Sequence, residues 1–478
     1  MKTLHHSYLI IVVILVILLT VGRLGQHDLQ EWDESRNGVN AYEMVNNGDW
    51  INYYYNKELD TWNAKPPLMI WSIAASYRIF GYNEFGLRFP SLLFTVLFFI
   101  FCFKIIELLG SRLKAFFCCL ILLSCKAILG NHIGLTGDFD ALLVFLLTAS
   151  VFFFIQYFEY SRKYALYLVA LFTGLAFWAK GTAAFVLIPG FILYLIIRGR
   201  GRIMFQDKRI WLSMALFFLI AGSWVVLVLT YGKPSSQSFY GSRNSLETMF
   251  IHDTYNRLTN VNFERESKHD IYFFFKVLDT RLNLWNYLFY ISLIPGLYML
   301  FKQKENLKSF IRKKENRLIV LSLCLILPLA VLLSLAINQH NWYLAPIFMF
   351  VSIIIVEGIL FISGRFRAFY LIVVLLFAFT FIRHTNYLYT LPEEIHNNLF
   401  ANKALQNKKI LITDPLKQNI FLYLEWLNTN NESIQIEDAG RYPGEYIIFS
   451  KDRANATEPT TIRPISYFDD YCLGVIAD

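Results

Sequence analysis

Apolar runs of about 15 to 22 residues recur along most of the chain, parted by short polar or basic stretches. About twenty such residues in a helix cross the hydrocarbon core of a bilayer. Eleven runs are predicted as helices, over 7–24, 89–109, 115–131, 140–157, 164–179, 181–197, 210–230, 284–301, 316–336, 342–362 and 367–383. The first reads as a signal anchor, because Arg23-Leu24-Gly25-Gln26 offers no small-x-small cleavage pattern. Between the first two runs the spacing changes. Val39, Tyr42 and Val45 share one face of a helix expected over 34–47 and stopped by Gly48. Pro66-Pro67 then opens a mostly apolar helix over 67–80, ended by Gly81. Its rise of about 21 Å falls short of a bilayer core, so it is expected in the interface.

The tail from 384 onward has a different pattern. Ile410-Leu411-Ile412-Thr413 reads as a strand, 416–428 as a helix, and Ile434–Glu437 and Tyr446–Ser450 as two more strands. The expected organisation is a membrane body over 1–383 and a small soluble α/β domain over 384–478.

Composition agrees with a polytopic membrane protein. Of 478 residues, 56% are hydrophobic and only 17% charged, against about 25% charged in soluble domains. A soluble enzyme, a disordered chain and a coiled coil are excluded. The six cysteines sit mostly in apolar runs and read as buried thiols, not as a disulfide framework. The net charge of +8 is a matter of orientation. Nineteen Lys and Arg fall in the short loops 1–6, 110–114, 158–163, 198–209, 302–317 and 363–367, and the opposite loops are much poorer in them. The positive-inside rule makes the first set cytoplasmic. The N-terminus is then inside and the tail outside, in a plasma or inner membrane, and no nucleic-acid partner is expected.

The candidate chemistry gathers on the outer side. Asp33, Glu34 and Arg36 stand at the lip of the membrane, and Lys65 follows in the same loop. Asp138 and Asp140 flank the start of the fourth run, where a carboxylate is costly and usually functional. Lys180 lies in the next outer turn, and Arg257, His269 and Tyr272 in the long loop 231–283. Each has a plainer reading. Acids favour helix starts, lysines snorkel, and Trp342-Tyr343 suits an interfacial aromatic anchor. The cytoplasmic loops hold no Asp-x-Asp and no P-loop, which argues against a nucleotide-sugar donor used on that side.

The order of several short stretches carries a resemblance. Asp33-Glu34-Ser35-Arg36, Gly48-Asp49-Trp50, Lys65-Pro66-Pro67 and Phe80-Gly81-Tyr82-Asn83-Glu84-Phe85-Gly86-Leu87-Arg88 come first. Thr136-Gly137-Asp138-Phe139-Asp140, Lys180-Gly181 and Trp342-Tyr343-Leu344-Ala345-Pro346 follow. Together they resemble the GT-C glycosyltransferases of the protein O-mannosyltransferase and lipid A aminoarabinose transferase group, families 39 and 83. The resemblance covers about residues 8–360. It implies an α-helical polytopic membrane protein of GT-C type with about eleven transmembrane helices. It also implies inverting transfer of a sugar from a polyprenyl-phosphate donor to a hydroxyl or phosphate of lipid A, another envelope glycan or a protein.

Such a transfer needs a base for the acceptor proton and cations for the departing phosphate. Asp33 is expected as the base, with Glu34, Asp138 and Asp140 beside it. Lys65, Arg36, Arg257 and Lys180 are expected at the donor phosphate, and Tyr272, Trp342 and Tyr343 at the substrate. Two positions depart from the group. Ala64 replaces an acid that, with a loop histidine, holds a metal in aminoarabinose transferases. His269 is the histidine here, and Asp60 or the Asp138/Asp140 pair could stand in for the missing acid; the resemblance leaves a divalent ion open, and none is expected to be required. Gln339 replaces a lysine three residues before the Trp-Tyr pair. A transporter or flippase of a lipid-linked sugar is the alternative. Charges kept at one face and the lack of an internal repeat argue against it.

Overall fold

The computed structural model describes residues 7–25, 27–130, 132–234, 244–256, 259, 270–302, 307–363, 369–427, 430–433, 443–452 and 462–477. All eleven apolar runs contain helices. They are α1 (Ser7–Leu24), α4 (Glu84–Leu109), α5 (Arg112–Leu123), α6 (Phe139–Phe158), α7 (Ala165–Lys180), α8 (Ile188–Ile197), α9 (Lys208–Tyr231), α11 (Trp285–Lys302), α12 (Arg317–Leu335), α13 (Phe348–Ser363) and α14 (Phe369–Tyr389), with the short α10 (Phe273–Leu282) ahead of α11. Among the described residues, seven helices are long and apolar enough to cross a membrane. The most enclosed is α6, which packs between α4 and α7. All six cysteines are buried and free.

The third run departs from expectation. α5 ends at Leu123, and turns occupy most of 124–137. Ser124 ends the helix by donating its hydroxyl to the Ile121 carbonyl at 2.9 Å, and the same oxygen accepts the Trp285 indole N–H at 2.8 Å. The residues freed from the helix carry His132 toward the site.

The first loop folds as its pattern predicts. α2 (Asp33–Asn47) ends at Gly48, whose φ of 76° suits a glycine cap. α3 (Leu68–Phe80) follows Pro67 and stops at Gly81. A two-residue hairpin, β1 (Tyr54–Tyr55) against β2 (Glu58–Leu59), lies between them.

The tail forms a five-stranded mixed sheet. β3 (Lys409–Ile412) pairs in parallel with β4 (Asn430–Ser433) and β5 (Tyr446–Ser450). β7 (Tyr471–Ile476) joins β5 and β6 (Ile462–Phe468) antiparallel, giving the order β4-β3-β5-β7-β6. β4 starts four residues before the expected strand, and 434–437 lie outside the described residues. β6 and β7 were not expected from the pattern, because Pro464 and Gly474 break it. α15 (Gln418–Trp426) packs on α2, which brings the tail against the first loop.

Candidate functional site

α2 opens with the two acids, and they part company. The Glu34 carboxylate is fully buried against Arg88, with Arg88 Nε at 2.6 Å and Nη2 at 2.9 Å. It also accepts the backbone N–H groups of Gln30 at 2.7 Å and Gly137 at 2.9 Å. Arg88 spends its other N–H groups on the carbonyls of Leu24, His27 and Asp28. Burial alone would raise the Glu34 carboxyl, but Arg88 holds it below the usual range. Glu34 therefore ties the first loop to the segment before α6, and its neighbour Asp33 points elsewhere.

Asp33 meets that segment through His132. His132 Nδ1 lies 3.9 Å from Asp33 Oδ2 and 3.5 Å from Asp138 Oδ2. Asp138 is 2% exposed, and burial together with Asp33 pushes its carboxyl well above the usual range. Burial lowers His132. The imidazole stacks on Trp342, centroid to centroid at 3.8 Å and 18°. Trp342 and Tyr343 sit in the 3-10 turn Asn341–Ile347 ahead of α13.

Asp140, in the first turn of α6, holds Lys180 at the end of α7, with Nζ 2.7 and 2.6 Å from the two carboxylate oxygens. The same ammonium lies 5.7 Å from the centre of the Tyr343 ring. Gly181 makes this turn possible. Its φ is 56°, and a Cβ there would sit 2.8 Å from Met249 Sδ. The Lys-Gly pair thus lets α7 end on a lysine that faces the site.

Lys65 reaches the same place from the first loop. Its ammonium lies 5.4 Å from the Trp62 ring centre and 5.0 Å from that of Phe139. Among the described residues no carboxylate pairs with it. Lys65, Lys180, Asp140, Asp253, Thr254 and Tyr343 line a cavity of about 420 Å³. The rest of its wall is largely apolar, including Leu143, Phe185, Val186, Met249, Leu329, Leu332 and Leu333. A cavity with cations at one part and aliphatic side chains over the rest suits an anionic head on a hydrocarbon tail.

Other expected residues lie differently. Arg36 is clamped by Asp60 through two 2.8 Å hydrogen bonds and lies 4.8 Å from the ring centres of both Tyr55 and Trp62. It holds Asp60 below the usual carboxylate range against the opposing effect of burial. Tyr272 is 65% exposed and does not line the cavity. Arg257 and His269 lie outside the described residues. The metal-binding pair that the resemblance implies is incomplete here, since the Ala64 side chain supplies no donor atom. Gln339 pins the chain at 270, accepting Asp270 N–H and donating to the Asp270 carbonyl, both at 3.0 Å. Those bonds give Gln339 a structural role at the position where the resemblance implies a lysine.

The sequence reading assigned no role to His132, Asp253 or Arg88. His132 lies between two apolar runs with no motif around it, and only its closeness to Thr136-Gly137-Asp138 marked it. Arg88 stood inside a recognised stretch, but its partner is 54 residues away.

A helical membrane body with a small sheet domain at its end is the architecture of GT-C proteins, and here acids and lysines from separate segments gather at one amphipathic cavity. Comparisons agree. ArnT from Cupriavidus metallidurans, in a crystal structure bound to undecaprenyl phosphate, superposes with a TM-score of 0.68 over 98% of both chains, at 13% identity. Residues 64–227 match the family described as dolichyl-phosphate-mannose-protein mannosyltransferase. An undecaprenyl phosphate-alpha-4-amino-4-deoxy-L-arabinose arabinosyl transferase of Pseudomonas fluorescens is 34% identical over 109 residues, 23% of this chain. An uncharacterized protein of Aquifex aeolicus is 25% identical over 305 residues, 63% of this chain. The matches span 20% and 56% of those two relatives' own lengths. The fold is that of the GT-C proteins, and parts of the chain are similar in sequence to O-mannosyltransferases and to an aminoarabinose transferase.

Proposed function

We propose that this protein transfers a sugar from a polyprenyl-phosphate-linked donor to a hydroxyl or phosphate of an envelope acceptor, with inversion at the anomeric carbon. The amphipathic cavity carries this reading, with Lys65 and Lys180 in the polar part of a largely apolar wall. A polyprenyl chain suits the aliphatic part, and the phosphate suits the lysines. Undecaprenyl phosphate bound to the GT-C protein of Cupriavidus metallidurans supports the donor class.

In this reading Asp33 takes the proton from the acceptor oxygen as that oxygen attacks the anomeric carbon. The bond to the lipid phosphate breaks, and the phosphate gains charge as it leaves. Lys65 and Lys180 stabilise that charge in a partly dry site, where electrostatic interactions are stronger than in water. Asp140 fixes the position of Lys180. Glu34 acts through position, not through a proton, because Arg88 occupies its carboxylate.

The basic loops support an extracytoplasmic site in a plasma or inner membrane, with the N-terminus inside and the tail outside. Residues 1–383 then form the catalytic membrane unit and 384–478 an extracytoplasmic domain.

The test is transfer from a panel of radiolabelled polyprenyl-phosphate sugars to envelope acceptors by purified wild type and Asp33→Asn. Label moved by wild type alone supports both the reaction and the base. Full activity in Asp33→Asn removes Asp33 from that role. Movement of the labelled lipid across liposomes without transfer would favour the transporter instead.

A further inference from the structure

Asp33, His132 and Asp138 meet where the first loop touches the segment before α6. One donor atom from each lies within 4.8 Å of the other two. Thr136 donates its hydroxyl to Asp138 Oδ2 at 2.6 Å, which leaves the other Asp138 oxygen and His132 Nδ1 to be accounted for. At 3.5 and 3.9 Å, His132 Nδ1 is too far from either carboxylate for a good hydrogen bond. His132 Nδ1 and Asp138 Oδ1 are both buried, and among the described residues neither has a hydrogen-bond partner. Buried polar atoms nearly always find one. Asp138, at 2% exposure, has little water to solvate it, and its like-charged neighbour Asp33 makes the deficit worse. The nearby ammonium of Lys180 is held by both oxygens of Asp140.

The imidazole is also held in place. His132 has a φ of 68°, a conformation that non-glycine residues adopt only when their surroundings impose it. Its ring stacks on Trp342, and Trp342 stacks in turn with His340 at 4.7 Å and 19°. A histidine so oriented between two carboxylates has the form of a ligand set.

We propose that Asp33, His132 and Asp138 bind a divalent ion of the manganese or zinc kind. Bonds of about 2.0–2.2 Å to a common ion place its donors about 3 to 4.4 Å apart. The two observed separations involving His132 fall in that range, and small rotations of the carboxylates bring in the third. One imidazole nitrogen with two carboxylate oxygens suits Mn²⁺ or Zn²⁺ better than Ca²⁺, which takes six to eight oxygens. This set shares no residue with the positions that hold metal in the aminoarabinose transferases, here Ala64 and His269. The ion offsets two converging negative charges, joins the first loop to the segment before α6, and fixes the rotamer of Asp33. That last consequence rests on the reading of Asp33 as the base, whereas the binding itself does not.

The experiment uses the full chain in detergent, stripped with chelator and titrated with Mn²⁺. Electron paramagnetic resonance follows the loss of the free-ion signal, and elemental analysis gives the stoichiometry. Wild type is expected to take one ion per chain. His132→Ala and Asp138→Asn are each expected to weaken binding by at least about tenfold, the scale at which even outer-shell changes act. His132→Gln and a melting curve of each ion-free variant separate loss of a ligand from loss of fold. No stoichiometric uptake of Mn²⁺ or Zn²⁺ by folded wild type overturns the proposal, and so does uptake unchanged in both variants. If the ion binds but no sugar moves from any donor, the proposed reaction fails and the metal site stands. If sugar moves and no ion binds, the opposite holds.

Discussion

Arg88 meets both carboxylate oxygens of Glu34, at 2.6 and 2.9 Å, and both side chains are fully buried. The pair sits where α1, the first loop, α4 and the segment before α6 come together. Removing one partner leaves the other charge buried, a loss of about 3–5 kcal/mol. Glu34→Gln and Arg88→Ala are therefore expected to lower stability by that much in denaturant titrations of the purified protein. Glu34→Gln combined with Arg88→Met should lose less than the sum of the two single variants. Additive losses would show that the two residues are not coupled.

Lys180 and Asp140 form a second pair, but this one lines the cavity. Lys180→Ala removes a cation from the expected path of the leaving phosphate. Transfer should fall by about 10² to 10³, the usual effect of losing one group that stabilises developing charge. Asp140→Asn should also slow transfer, since it frees the lysine to reorient. The double variant is expected to be little worse than Lys180→Ala alone. Initial rates at saturating donor check this, and a multiplicative double loss would separate the two roles.

Lys65 lies over aromatic faces, and among the described residues no carboxylate holds it. Its substitution leaves no buried anion behind, so Lys65→Ala should fold normally. Donor use should suffer, with KM for the lipid-linked sugar raised about tenfold or more, on the scale of one charge-assisted contact. Lys65→Arg should recover part of it, because the fork geometry of arginine differs from a point charge. An unchanged KM in Lys65→Ala would take this residue out of the phosphate site.

The contact between the tail and α2 should be sensitive to pH. Glu425 on α15 is pushed up from 4.5 to about 7, first by burial and then by Glu43 of α2. Between those values the folded chain keeps a proton that the unfolded chain has lost. Its contribution therefore falls as pH rises from about 4.5 to about 7 and is flat above. His396, raised by its hydrogen bond to Glu84, acts in the same direction. Its stabilisation is complete below 6.5 and is lost as pH rises through its folded value. Melting temperature should drop from about pH 5 to about pH 8 in wild type and drop less in Glu425→Gln. Equal slopes in the two proteins would exclude Glu425 as a source.

Periodicity made the helices legible, because an apolar run long enough to cross a bilayer leaves few other choices. α2 and α3 were equally readable, with a glycine stop after each and prolines before α3. The short α5 was not, since the apolar run continues past Ser124 while the helix does not. Of the site, Asp33, Lys65, Asp140, Lys180 and Tyr343 could be named from short motifs. Their pairings could not. Arg36 turned to Asp60 and Glu34 to Arg88, choices made by packing over 24 and 54 residues of chain. His132 was invisible for the same reason. A single histidine gains meaning only from the two carboxylates and the indole that the fold brings to it.

Gly38 sits in α2, where a Cβ would come 2.4 Å from Leu422 Cδ2 of α15. Around this contact Tyr423 accepts the Leu29 N–H, Asn419 donates to the Leu29 carbonyl, and Asp28 accepts the N–H groups of Ile395 and His396. The helix that begins with Asp33 is therefore built against the far end of the chain. A tail exchanged with that of a relative, or ended by a stop codon after α14, is expected to strip support from the helix that presents Asp33. A substitution on either side of this contact is therefore expected to be felt by the other.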